Sequence, residues 1–203
     1  PVMEIPTGMF TRKYIGRTML LIFLFVTTVP AGFLVANWTP QLLKMLGFSV
    51  KETLTAMTII SIGVPLGCFL NSVVADKGGR KMPLAILIVF ASITAFIFGG
   101  MKTLAMLTLA GFTVTVFNMA LSFLLFSYTA ESYPTRMRNT ATGFHNGLAR
   151  LSVSGSQFFI PMIHASYGFA GIFTSVAVLF FLPVIPLLIW GQRTGGRSLE
   201  DIE

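Results

Sequence analysis

The chain has 203 residues, of which 54% are hydrophobic and only 10% charged. Soluble domains carry about 25% charged residues, so this composition excludes an ordinary water-solvated globule and points to lipid as solvent. A single cysteine, Cys68, excludes a disulfide framework within the chain. The net charge of +7 carries its information in its distribution, which follows membrane topology rather than nucleic-acid binding.

The first 17 residues, PVMEIPTGMFTRKYIGR, are polar and basic, without the apolar core and cleavage site of a signal peptide. A helix needs about 20 apolar residues to cross a bilayer core, and six segments satisfy this in turn: 18–38, 54–75, 82–101, 104–130, 139–165 and 168–190. Five contain no Asp, Glu, Lys or Arg, and the fifth contains only Arg150. A short tail, 191–203, follows. The pattern predicts an all-α, polytopic membrane protein, because a spanning backbone must satisfy its polar groups internally. Of the 14 basic residues, ten fall with both termini and the second and fourth turns, whereas Lys44, Lys51 and Lys102 fall on the other side. That bias predicts cytoplasmic termini.

Within the fourth segment, Gly111, Thr115, Asn118 and Ser122 recur at helical spacing. In the fifth, Arg150 lies 12 residues beyond Arg138, or about 18 Å along a helix and close to the bilayer midplane. Asn146, Ser154 and Gln157, with Gly143 and Gly147, share its face as a polar stripe that excludes lipid contact. An intramembrane cation is expensive and marks a functional site by default. Arg150 either meets a substrate or is tied to carbonyls or a carboxylate elsewhere. The glycine pair is expected to serve helix packing. His145 lies one step off the stripe, and structural burial is favoured for it over a proton-relay role.

Two turns carry recognisable motifs. SVVADKGGRK, 72–81, resembles the loop signature of the major facilitator superfamily, with Asp76, Gly79, Arg80 and Lys81 on matching positions and Ser72 where that family prefers glycine. YTAESYPTRMRNTATG, 128–143, is similar to the loop after the tenth helix of sugar-porter and organic-ion branches, through Glu131, Pro134, Thr135, Arg136 and Arg138. The tail TGGRSLEDIE and the stretch NWTPQLLKMLGFS are similar to further family segments, in the order expected for helices seven to twelve. The resemblance covers essentially the whole chain and implies the C-terminal six-helix half of a twelve-helix transporter, with a three-plus-three inverted repeat. The partner half, or a second copy of this one, is then required.

The resemblance implies secondary active transport of a small organic metabolite by alternating access in a plasma membrane, as in a bacterial inner membrane, with proton coupling. No covalent chemistry, cofactor or metal is expected. Arg150, Asn118, Asn146, Gln157, Ser154 and Thr115 are the expected substrate contacts, and an arginine suggests an organic anion. By the same resemblance, Asp76, Gly79, Arg80, Lys81, Glu131, Arg136 and Arg138 form a latch at the cytoplasmic end; Glu131 at the end of the fourth segment and Arg138 across the turn are expected to pair. A sugar or other neutral-solute porter, or a non-transporting sensor with the same fold, are the alternatives. No carboxylate lies inside a segment, so a coupling acid sits in the other half, or His145 serves, or the protein is a uniporter.

Overall fold

The computed structural model describes residues 6–75 and 79–192. These residues form a short 3₁₀ turn, Pro6–Phe10, and then seven helices: α1 (Ile15–Met45), α2 (Val50–Val74), α3 (Lys81–Gly100), α4 (Leu104–Glu131), α5 (Thr135–Ser156), α6 (Phe159–Phe181) and α7 (Val184–Trp190). The fold is all-α. Helices α1 to α4 and the stretch Phe159–Trp190 are long and apolar enough to cross a membrane. Their outward faces carry exposed apolar side chains such as Leu54, Phe69, Phe96 and Leu109, which suit lipid and not water.

Helix α5 departs from the expected pattern. Its Arg, Asn, Ser and Gly residues make it too polar for the same criterion. The expected fifth segment, 139–165, is not one continuous rod: α5 ends at Ser156 and α6 starts at Phe159. Pro161 lies four residues beyond Gln157, so the Gln157 carbonyl loses its helical donor there. The passage to the sixth segment is a bend inside α6 at Gly168, whose φ of 64° suits a residue without Cβ. Pro183 and Pro186 then accompany the break between α6 and α7.

The break at Pro30 is absorbed. Pro30 lies within α1 and cannot donate to the Val26 carbonyl one turn earlier. The Ser152 hydroxyl of α5 donates to that carbonyl at 2.9 Å. Thr27 and Thr28 spend their hydroxyls on Phe23 and Leu24 carbonyls of their own helix.

The helices pack as α1 with α5, α2 with α4, α3 with α4, α1 with α6, and α3 with α6. Exchanging the first three helices for the last three leaves this set of pairs unchanged, as a three-plus-three repeat requires. Small residues close the seams. A Cβ on Gly67 of α2 would lie 2.5 Å from the Val116 carbonyl of α4, and one on Gly63 would lie 2.9 Å from the Phe112 carbonyl. Gly99 of α3 admits Phe173 of α6 in the same way, beside a Ser92 to Ala177 carbonyl bond of 2.8 Å. The Gly63-x-x-x-Gly67 pair is thus the close-packing glycine motif of this chain. Gly143 and Gly147, expected in that role, have nothing within 4 Å of a Cβ.

Candidate substrate cavity

Helices α1, α4 and α5 enclose a cavity of about 260 Å³, lined by Thr28, Gly32, Phe33 and Asn37 from α1, Asn118 and Ser122 from α4, and Asn146 and Arg150 from α5, among others. The local reason for its shape is Gly32. A Cβ there would collide with the Asn118 carboxamide, so the glycine gives the amide its room. Asn118 is only 5% exposed, yet its carboxamide makes no hydrogen bond to any described residue. A buried amide without partners is costly, so its position at a cavity wall fits a ligand or water that completes it. The Ser122 and Thr28 hydroxyls and one of the two Asn37 amide N–H groups are already spent on carbonyls of their own helices.

Arg150 reaches the cavity from α5 and has no ion pair or side-chain hydrogen bond among the described residues. Asn146, one turn before it, lies on the same wall and is likewise unpaired. The cavity therefore offers one guanidinium and two free carboxamides. A bidentate guanidinium contact plus amide donors suits a carboxylate.

The structure separates three other expected contacts from this group. Thr115 lies on the α2 side of α4, where its Cβ is 3.3 Å from the Cβ position of Gly63, and its hydroxyl bonds the Gly111 carbonyl at 2.8 Å. Ser154 bonds the Arg150 carbonyl and does not line the cavity. Gln157 receives the Trp38 indole N–H and donates to the Val153 carbonyl, which ties the end of α5 to α1. Helical spacing had put Ser154 and Gln157 on the face of Arg150, but the helix ends there and both amide and hydroxyl find protein partners. Sequence reasoning missed Gly32 and Asn37, whose α1 positions carry no charge signal.

His145 occupies the opposite face of α5. It is fully buried, with Nδ1 at 2.7 Å from the Ala141 carbonyl, and its ring contacts Phe25, Tyr133 and Phe144. It does not line the cavity.

The basic end holds the expected latch residues. Arg80 Nε meets Glu131 Oε2 at 2.6 Å and joins the start of α3 to the end of α4. Glu131 therefore pairs with Arg80 and not with Arg138. Arg138 Nε instead donates to the Ala130 carbonyl at 2.8 Å, because the α4–α5 turn aims it back along α4. Lys81 donates to the Leu188 carbonyl at 2.9 Å, Arg17 to the Ser132 carbonyl at 3.1 Å, and the Tyr128 hydroxyl is bonded to both N–H and carbonyl of Gln192. Gly79 has φ of 88°, the left-handed turn that glycine permits. Arg136 is exposed and without a partner among the described residues. Asp76 lies outside the described residues. Tyr133, in the α4–α5 turn, bonds the Thr18 hydroxyl at 2.9 Å, and burial pushes its phenol up from the usual value.

Five helical stretches long and apolar enough to cross a membrane, packed in two interchangeable triplets around a cavity that holds Arg150, Asn118 and Asn146, fit a membrane carrier architecture. The model of the "sugar (and other) transporter" family matches residues 5–203, so the chain belongs to this family of transporters within the major facilitator superfamily, and not to a family of enzymes. YyaJ of Bacillus subtilis (strain 168), named for metabolite transport, is 28% identical over 95% of this chain and 43% of its own length. The niacin transporter NiaP of Acinetobacter baylyi is 24% identical over 96% of the chain and 44% of its own length. The inner membrane metabolite transport protein YdjE of Escherichia coli (strain K12) is 23% identical over 96% and 43%. The chain spans less than half the length of the curated relatives it matches.

Proposed function

We propose that this chain supplies the C-terminal six-helix half of a secondary active transporter, with both termini cytoplasmic, that carries a small organic anion by alternating access. The observation that carries the reading is Arg150: an unpaired guanidinium beside the free carboxamides of Asn118 and Asn146 in one cavity. The likeness to a protein named as a niacin transporter supports it, since niacin is a carboxylic acid and anionic at neutral pH. Substrate binding at a midplane site between the two halves, alternately open to each side, follows the logic of transporters built from repeats.

The mechanism assigns each group a task. Arg150 holds the carboxylate, and Asn118 and Asn146 donate to its remaining oxygens or to a ring acceptor. Arg80 and Glu131 clamp the ends of α3 and α4 in one conformation and release them in the other. No carboxylate lines the cavity among the described residues, so proton coupling would need a group of the other half, and a uniporter would need none.

The test is uptake by proteoliposomes holding the full-length transporter, with labelled nicotinate and a panel of monocarboxylates. Arg150→Ala is expected to raise the KM by about 10- to 100-fold, since a hydrogen bond to a charged group contributes about 1.5–3 kcal/mol. Arg150→Lys should lose less. Unchanged anion uptake by Arg150→Ala, with normal insertion, removes the anion reading. The three asparagines lining the cavity (37, 118 and 146) favour a second reading, a neutral polyhydroxy solute. In that case sugars compete for uptake and Arg150→Ala leaves their transport intact.

A further inference from the structure

The far end of the substrate cavity holds polar groups that a carboxylate at Arg150 leaves unused. Two cross-links fix how α1 and α5 run past each other: Ser152 meets the Val26 carbonyl, and Trp38 meets Gln157. The order is the same on both helices, so Asn146 and Arg150 lie towards the Val26 end and Asn37 towards the Trp38 end. Val26 and Asn37 are eleven positions apart, about 16 Å of helix. Between them lie the Asn118 amide beside Gly32 and the apolar walls Phe33, Met119 and Leu121. At the far end stands a backbone acceptor without its helical donor. Pro40 lies inside α1 and has no N–H to give the Ala36 carbonyl one turn earlier. At Pro30 the equivalent carbonyl is filled by Ser152, but no described side chain fills that of Ala36. Ala36 and Asn37 are both exposed, and both line the cavity. Asn37 spends one amide N–H on the Phe33 carbonyl at 3.0 Å and keeps the other N–H and its own carbonyl oxygen.

We propose that Ala36 and Asn37 form a hydroxyl-reading subsite, and that the cargo is a two-ended molecule: a carboxylate at Arg150, an apolar body, and a neutral hydroxyl at the far end. This rests on the anion reading of the same cavity and adds the chemistry of the cargo's other end. A hydroxyl both donates and accepts, and the far end offers both complements. The Ala36 carbonyl accepts from it, and the free Asn37 N–H donates to it. A methyl group in that place leaves the carbonyl and the amide unpaired, which costs more than the apolar contact returns. A second carboxylate fits worse, because the Ala36 and Asn37 oxygens repel it and Arg150 is the one cation among the described residues that line the cavity. Asn37 is thereby a specificity-determining residue, whereas Arg150 sets the affinity for the anion. The arrangement uses the arginine and the three asparagines of the cavity on one ligand.

The experiment measures dissociation constants from ligand-induced thermal stabilisation of the full-length transporter in detergent. The probes are 4-hydroxybutanoate, 6-hydroxyhexanoate and 8-hydroxyoctanoate, each beside the acid with methyl in place of the hydroxyl (pentanoate, heptanoate and nonanoate), and the amide of each hydroxy acid. The hydroxy acid whose length suits the cavity is expected to bind about 10-fold tighter than its methyl partner. Asn37→Leu should lower that preference by about three- to tenfold. Pro40→Ala, which gives the Ala36 carbonyl its helical N–H, should lower it by a similar factor. Arg150→Ala should weaken both members of the pair alike and keep their ratio. Pro65→Ala, at a proline of α2 that does not line the cavity, should change neither affinity nor ratio. Methyl partners that bind as tightly as the hydroxy acids, a preference that survives in either Asn37→Leu or Pro40→Ala, or no binding in any pair overturns the subsite and leaves the anion reading to the uptake test of Arg150. Amides that bind as tightly as the acids, with Arg150→Ala without effect on either, overturn the carboxylate end and with it the anion reading.

Discussion

At Gly32 the volume of one methyl group is already taken by the Asn118 carboxamide. Gly32→Ala is expected to displace that amide and to impair uptake about as much as Asn118→Ala, whereas Gly100→Ala, which meets nothing within 4 Å, should leave uptake within twofold of wild type. Initial-rate uptake with each variant checks this. The Arg80–Glu131 pair is partly exposed, with about a quarter or less of each side chain accessible. A double-mutant cycle on thermal stability in detergent should return a coupling of about 0.5–1 kcal/mol, and the cycle of Glu131 with Arg138 about zero. The two pairings show what sequence could and could not reveal. Arg138 is seven positions from Glu131 and looked like its partner by nearness along the chain. Arg80 is 51 positions away and becomes the partner only because α3 packs on α4. By contrast, Arg150 stood out from sequence alone, since a lone charge in an apolar segment needs no packing information to be noticed.

Between elements, hydrogen bonds and small residues have separate jobs. Ser152→Ala should cost about 1 kcal/mol by leaving the Val26 carbonyl without a donor. In a Pro30→Ala background the backbone N–H of residue 30 restores that donor, so the cost of Ser152→Ala should fall towards zero. Chemical denaturation of the four proteins of the cycle decides it. Gly67→Val should destabilise the α2–α4 seam by about 1–3 kcal/mol, because the backbone of α4 cannot retreat from a larger side chain. Helix existence was legible in the length of the apolar runs. The shape of the fifth was not: the same residues that made its polar stripe visible made α5 a shorter, polar helix, and Pro161 divides it from its continuation. The stripe itself also fragmented. Spacing alone grouped Ser154 and Gln157 with Arg150, but local bonds to Arg150, Val153 and Trp38 withdraw them.

For the whole molecule, the proposed pairing with a second six-helix unit needs a face that such a unit would cover. On α5, Gly147, Leu151 and Ser154 are exposed beside Arg150, with Leu151 at 71%. In the full-length transporter, Gly147→Cys is expected to react with a maleimide more slowly when substrate is present, because closure around the cavity covers that face. A rate that ignores substrate would separate this surface from the transport cycle. The order of motifs along the chain made the superfamily legible, since loop sequences answer to backbone turns and charges that recur with the fold. The cavity lining was less legible, because α1 contributes to it through a glycine and an asparagine that no periodic signal marks.

The walls of the cavity are fastened unevenly. Ser152 and Trp38 cross-link α1 to α5 near the Pro30 level and near the end of α5, while α1 is bonded to the end of α4 at the basic end, through Arg17 to the Ser132 carbonyl and Thr18 to Tyr133, and meets α4 beside the cavity through the Gly32–Asn118 contact. Helices joined at two heights resist shear against each other, and a smooth steric contact does not. At the level of the cavity, the α1–α4 edge that carries Asn118 is therefore the less constrained of the two.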